Sequence, residues 1–241
     1  MAVWATPPGM VSVPGGTFRV LYPNTPAAAQ VRVQPFLMDI YPVTNGQMLA
    51  FVKAHPQWQR GKVPEVMAEP GYLNHWSTAI QLGSSATPGQ PVTRVSWFAA
   101  RAYCQARGAR LPTENEWEFA AAASETSTDA RQDPVWQQHI LEWYSRPGSA
   151  PLPVVGQRPP NVYGIYDLHG LVWEWIEDFG ANLVTGDSRE GSGADRSRFC
   201  GGSAVTAGDK GDYVAFMRYA FRGSLNASWT TSNLGFRCAS N

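Results

Sequence analysis

Glycine and proline set the tightest limit on what this chain can fold into. Its 241 residues include 23 Gly and 19 Pro, together about 17%, where average usage gives about 12%. Proline breaks helices and cannot donate to a sheet ladder, and glycine weakens both elements. Regular elements must therefore be short, with long ordered loops between them. Such loops need anchors, and ten Trp, nine Tyr and ten Phe are available. Charged residues are only 16%, against about 25% in average soluble domains. Lys plus Arg and Asp plus Glu number 19 each, so the formal net charge is zero. A nucleic-acid surface needs a basic surplus to displace counterions, and that partner class is excluded. A hydrophobic content of 44% with no net charge excludes an acidic disordered chain. No run of apolar residues is long enough to span a membrane.

The organisation reads as one domain over 10–241 after a short N-terminal extension at 1–9, because no Ser/Gly-rich or charged linker divides it. Met1 to Pro8 carry neither the charged nor the apolar region of a secretory leader. A mature form whose leader has already been removed gives the same reading. Met10–Val13, a Pro14-Gly15-Gly16 turn and the residues to Val20 suggest two strands, and Val31–Asp39 is a further extended candidate. Thr44 is placed to cap a helix from Asn45 to about His55, stopped by Pro56. Ser96 starts a second helix that Gly108 ends. Thr113 and Glu116 have capping-box spacing and start a third. A short helix around Val135–Tyr144 is a weaker expectation, and beyond Asn161 the chain reads as short aromatic and glycine-rich segments.

Singly these pieces are ordinary, but their order is distinctive. Pro14-Gly15-Gly16-Thr17-Phe18, Pro42-Val43-Thr44-Asn45, Val95-Ser96-Trp97, Ala102-Tyr103-Cys104, RLPTENEWEFAA at 110–121, NVYGIYDLHGLVWEW at 161–175, CGGS at 200–203 and NLGFRCA at 233–239 run along the chain. Together they resemble the formylglycine-generating enzyme (sulfatase-modifying factor) family from about Met10 to Ala239. The resemblance implies an α+β, loop-rich domain with two helices and small sheets, that family's version of the C-type-lectin-like fold.

It also implies site residues. Family enzymes that make formylglycine bind copper with two cysteines near the C-terminus, and the corresponding positions here fall on Thr206 and near Val214. Copper(I) favours thiolate or thioether ligands, so standard copper-dependent formylglycine generation is not expected, and any other redox metal is left open. Met217 lies nearby but reads as core packing. Cys104 and Cys238 match positions that form a disulfide in some members; two buried thiols are the alternative. Such a bridge would restrict the unfolded chain by on the order of 4 kcal/mol and imply an oxidising compartment, periplasmic or secreted, with a cytoplasmic location not excluded. Cys200 is then a free thiol without an evident His partner. For the loop Tyr166–Glu174 the resemblance implies calcium, held by the side chains of Asp167 and Glu174 and the carbonyls of Gly170 and Val172; a pair of capping carboxylates is the alternative. The four histidines, His55, His75, His139 and His169, lack metal-binding spacing, and His169 reads as a surface residue.

A pocket is expected from Trp173, Ser203, Thr206, Arg218, Arg222 and Asn233, with Trp175, Tyr219 and Trp229 beside it; Trp173 and Trp175 read equally well as core anchors. Two functions follow. One is oxidative maturation of, or an accessory role on, a peptide, a peptide-derived substrate such as a siderophore precursor, or a metalloenzyme. The other is a non-catalytic lectin-like module that binds a ligand or partner protein, the variable proteins with variation over 204–232 included. Whether the chain is an enzyme stays open, and a monomer is expected.

Overall fold

The computed structural model describes residues 9–20, 29–145, 151–179 and 213–241. Four helices begin where the sequence offers a side-chain acceptor to the first free N–H groups. Helix α1, Asn45–Ala54, has a capping box in which Thr44 Oγ1 accepts from Gln47 N–H and Gln47 Oε1 accepts from Thr44 N–H. Helix α2, Trp97–Ala106, is capped by Ser96, and α3, Glu114–Ala121, by the expected Thr113–Glu116 box. Helix α4, Pro134–Tyr144, starts on Asp133, with proline at the first position where its missing N–H costs nothing. A fifth helix, α5, Tyr213–Gly223, was not expected. Its buried face is Val214, Ala215, Arg218 and Arg222. Val214, Met217 and Phe221 carry the i, i+3, i+7 spacing of a helix, so a helical signal was present in the sequence. Five α-helices and a short 3-10 helix at Pro56–Trp58 occur among the described residues, where the resemblance implied two helices.

The strands are short, as the Gly and Pro content demands. Strand β1, Met10–Val13, pairs antiparallel with β4, Phe36–Asp39, while β2, Gly16–Arg19, pairs antiparallel with β3, Gln30–Val33. The Pro-Gly-Gly turn thus hands the chain from one sheet to another and closes no hairpin. Gly15 has φ of 67°, and a Cβ there would run into the Val33 carbonyl, so only glycine fits. Strand β5, Trp173–Trp175, pairs parallel with β6, Leu234–Phe236, and β7, Ala239–Ser240, joins the far side of β4.

Tryptophans join these small sheets into one body. Trp175 is fully buried and donates to the Val95 carbonyl at 2.9 Å, Trp76 donates to Asn45 Oδ1 at 2.9 Å, and Trp97 donates to the Ile176 carbonyl at 2.9 Å. Each buries a large ring while its N–H ties two distant segments, which a purely aliphatic core cannot do. One core layer packs α1 and α2 around Met48, Leu73, Val92 and Phe236; the other packs α3 against the first sheets through Val13, Phe36, Met38 and Trp117. No helix among the described residues is long and apolar enough to cross a membrane.

Cys104 of α2 and Cys238 between β6 and β7 form a disulfide across a separation of 134 residues, with Cα atoms 5.5 Å apart. The chain-entropy model gives about 4–5 kcal/mol for a loop of that length. Replacing both cysteines with serine is expected to lower the denaturant-extrapolated stability by a comparable amount, and an unchanged unfolding midpoint would refute this.

Candidate functional site

Parallel pairing of β5 with β6 brings together two signature segments some 60 residues apart, and a buried ion pair locks them. Glu174 and Arg237 both have side chains fully shielded from solvent. Arg237 Nε and Nη2 donate to Glu174 at 2.8 to 3.1 Å. The rest of the guanidinium donates to the carbonyls of Asp39, Ile40 and Tyr166. Trp117 Nε1 adds a fourth bond to the carboxylate at 2.7 Å. A carboxylate has about four acceptor positions, and three N–H groups, with Nε–H shared between both oxygens, occupy those of Glu174.

That occupancy decides how the loop Asp167–Glu174 can treat a cation. Calcium takes six to eight oxygens, and the resemblance assigned one set to Glu174. Asp167 Oδ2 already accepts from Gly156 N–H at 2.6 Å. Over Gly170, whose φ is 95°, lies the Arg158 guanidinium, so close that a Cβ on Gly170 would clash with it. Glu174 and Asp167 Oδ2 are thus already hydrogen-bonded and Arg158 lies over the Cα of Gly170, so calcium held as the resemblance implies would have to displace these contacts. No group of three or more His, Cys, Asp or Glu that would hold another metal occurs among the described residues. His169 also differs from expectation. It is half-buried, its Nε2 donates to the Ala121 carbonyl at 2.7 Å, and its ring meets Trp117 and Trp136 edge-on. Burial and the nearby Arg218 lower its pKa to about 3.

The two arginines assigned to a pocket are engaged elsewhere. Arg218 and Arg222, one turn apart on α5, both reach the buried Glu118 of α3, at 2.6 Å each. Arg222 also lies 3.7 Å from Glu114, and its guanidinium sits 4.5 Å over the Trp117 ring. These side chains are 5% exposed or less, so they clamp α5 to α3, and neither lines the cleft at Trp173 and Asn233. Val214 is buried in α5. Cys200, Ser203 and Thr206 lie outside the described residues.

Trp173 and Asn233 do meet. Trp173 N–H donates to the Asn233 carbonyl at 2.8 Å, and both residues line a cleft of about 560 Å³. Tyr144 and Phe221 stack on the Trp173 ring with centroids 5.0 and 4.4 Å away, and Trp143 tilts against it. The same cleft is also lined by segments to which the sequence assigned no role, at His75, Gln90 and Arg94. Burial and the positive charges of Arg94 and Arg60 lower the His75 pKa to about 4, so its imidazole is neutral near pH 7. A second cavity of about 340 Å³, lined by Trp136, His139 and Glu125, lies across the same loop, since both are also bounded by Arg158, Asp167 and Gly170.

A sulfatase-modifying factor enzyme 1-like domain matches residues 2–241 of this sequence. The chain belongs to that family. It is similar to the formylglycine-generating enzyme of Thermomonospora curvata, at 32% identity over 96% of this chain and 93% of that protein. A second relative, the inactive C-alpha-formylglycine-generating enzyme 2 of Mus musculus, is 31% identical over 98% of this chain and 87% of its own length. The structure of PvdO from Pseudomonas aeruginosa superposes with a TM-score of 0.52 at 21% identity, covering 96% of this chain and 94% of that one, a likeness of fold. The α+β architecture of short elements and long loops is thus the family's.

The Glu118 clamp yields two expectations. Breaking a buried ion pair by removing one partner costs about 3–5 kcal/mol, so Glu118→Gln should destabilise the protein by that order in urea titration. Burial alone would raise the Glu118 pKa, but Arg218 and Arg222 hold it down to about 2, from 4.5. A folded value below the unfolded one means that this stabilisation is complete above about pH 4.5 and is lost as the pH falls toward 2. Glu118→Gln should therefore flatten the pH dependence of stability in that window; an unchanged acid limb counts against the clamp.

Proposed function

We propose that this family member binds a peptide or peptide-derived ligand in the Trp173–Asn233 cleft, in an accessory or maturation role that does not use a copper–dithiolate centre. The observation that carries this reading is the Cys104–Cys238 disulfide. It consumes two of the three cysteines in the chain, and Cys200 is left without a second thiol. Soft Cu(I) is stabilised by paired sulfur ligands, and the buried Val214 supplies none. The name of the mouse relative, an inactive enzyme of this type, points the same way. The disulfide also supports residence in an oxidising compartment, periplasmic or secreted.

The chemistry available at the cleft is recognition. Trp173, held between Tyr144 and Phe221, gives a rigid wall that loses little entropy when a ligand packs on it. His75, Gln90 and Asn233 supply neutral donors and acceptors. With a cysteine-containing sulfatase peptide, the purified protein supplied with Cu(I) should consume no oxygen above the protein-free rate, yet bind the peptide by calorimetry. Turnover coupled to formylglycine would overturn the proposal.

We also propose that the Asp167–Glu174 loop is held by Arg237 and Arg158 in place of calcium. Chelation with EGTA, followed by calcium at millimolar level, should leave the melting temperature unchanged within about 1 °C, since a ligand that binds only the folded state would raise it. A calcium-dependent rise would restore the calcium assignment.

A further inference from the structure

The cleft holds a cation whose charge nothing among the described residues balances. Arg94 is half-buried on the rim, and its guanidinium makes no ion pair or hydrogen bond with any described residue. The other charges on the lining are Arg158 and Asp167, of opposite sign. The lining thus carries one net positive charge, and Asp167 makes no ion pair with either arginine.

The backbone makes this position deliberate. Arg94 has φ of 54°, in the left-handed region that a long side chain seldom occupies. Its N–H donates to the Thr231 carbonyl at 3.0 Å, and its carbonyl accepts from Leu73 N–H at 2.9 Å. Leu73 is itself left-handed, with φ of 47°. Two left-handed residues, joined by a backbone hydrogen bond and fixed by Thr231, hold Arg94 on the lining of the cleft. Strain of this kind persists where the surrounding structure over-determines it and clusters at ligand sites. Beside Arg94, both ring nitrogens of His75 are enclosed and have no hydrogen-bond partner among the described residues. Enclosed donors and acceptors without a protein partner are rare in folded proteins, and water, an ion or a bound group supplies the missing partner.

Resting on the reading that this cleft is the ligand site, we infer that it selects an aromatic carboxylate, with the carboxylate on Arg94 and His75 and the ring against the Trp173–Tyr144 wall. The planar fork of a guanidinium matches a carboxylate with two parallel bonds. A single uncompensated charge suits a monoanion better than a phosphate dianion. The volume of about 560 Å³ accommodates a ring with a short polar extension. Two sources carry this chemistry, a free aromatic acid and the C-terminus of a peptide that ends in an aromatic residue.

The test compares N-acetyl-L-tyrosine with N-acetyl-L-tyrosinamide by calorimetry, and repeats the pair on the peptide Gly-Ser-Gly-Ser-Tyr as acid and amide. The acids should bind at least about tenfold tighter than the amides, because a charge-assisted pair replaces a neutral contact. Tighter binding by the pentapeptide acid than by the short acid assigns the peptide terminus, and equal binding assigns the free acid. Arg94→Asn should abolish the preference between acid and amide without unfolding the protein, since asparagine tolerates the left-handed region better than arginine does. Trp173→Ala should weaken acid and amide alike. Equal binding of acid and amide by the unaltered protein would overturn the carboxylate assignment while the cleft stands as a ligand site; binding of neither would overturn both.

Discussion

The Glu174–Arg237 ion pair holds the C-terminal third of the fold in place. Glu174 belongs to β5 and Arg237 follows β6. Their carboxylate–guanidinium bonds fix the parallel ladder on which Trp173 and Asn233 face the cleft. The remaining N–H groups of Arg237 fasten the end of β4 and the Tyr166 loop. Trp117 joins α3 to the same carboxylate. Asp39, next along, accepts from Cys238 N–H and from both Nη groups of Arg107. The Glu174 carboxylate thus bonds two separate stretches directly, at Trp117 and Arg237, and through Arg237 reaches the end of β4 and the Tyr166 loop. Such a pair gains little over apolar packing, but losing either partner is costly, because the other would be left charged in a low-dielectric core. It secures one arrangement of loops that have few ladder bonds of their own.

A second buried network does the same for α5. Two arginines on one helix turn meet Glu118, with Glu114 close by, so an apolar face is replaced by a charged one that pairs only with α3 in one register. Many residues that carry the family signature therefore have structural work: Asn45 holds Trp76 and the 87–91 turn, Glu116 caps α3 and binds Arg110, and Glu118, Glu174 and Arg237 sit in buried pairs. The signature describes a scaffold. The cleft rim at His75 and Arg94 lies outside its most distinctive segments, where relatives on the same scaffold can differ in what they bind.

Much of the local structure was legible in the sequence because caps and breakers act over three or four residues. Thr44, Ser96 and Thr113 each announce a helix start, and Gly108 ends α2 with φ of 70°. The Cys104–Cys238 pairing followed from family resemblance. Other features depend on partners far along the chain and left no local mark. The turn at Gly15 looks like a hairpin turn until β1 is seen to pair with β4. Helix α5 has apolar residues at helical spacing, but that two arginines share its buried face depends on Glu118 of α3. The bonds of Arg218 and Arg222 to Glu118 appear only once α3 and α5 lie side by side.

The sequence by itself determined a neutral, loop-rich domain of short elements with tryptophan anchors, its family, and a cysteine count that leaves one thiol once the disulfide forms. Those properties depend on composition, spacing and short-range hydrogen bonding. Tertiary structure decided which charges are consumed and which remain available. It placed Glu174, Glu118 and their arginines inside, saturated them, and left Arg94 on a cleft made from segments near positions 75, 94, 144, 173 and 233. A charge acquires a role only when its neighbours in space are known, and in this fold those neighbours lie dozens to hundreds of residues away.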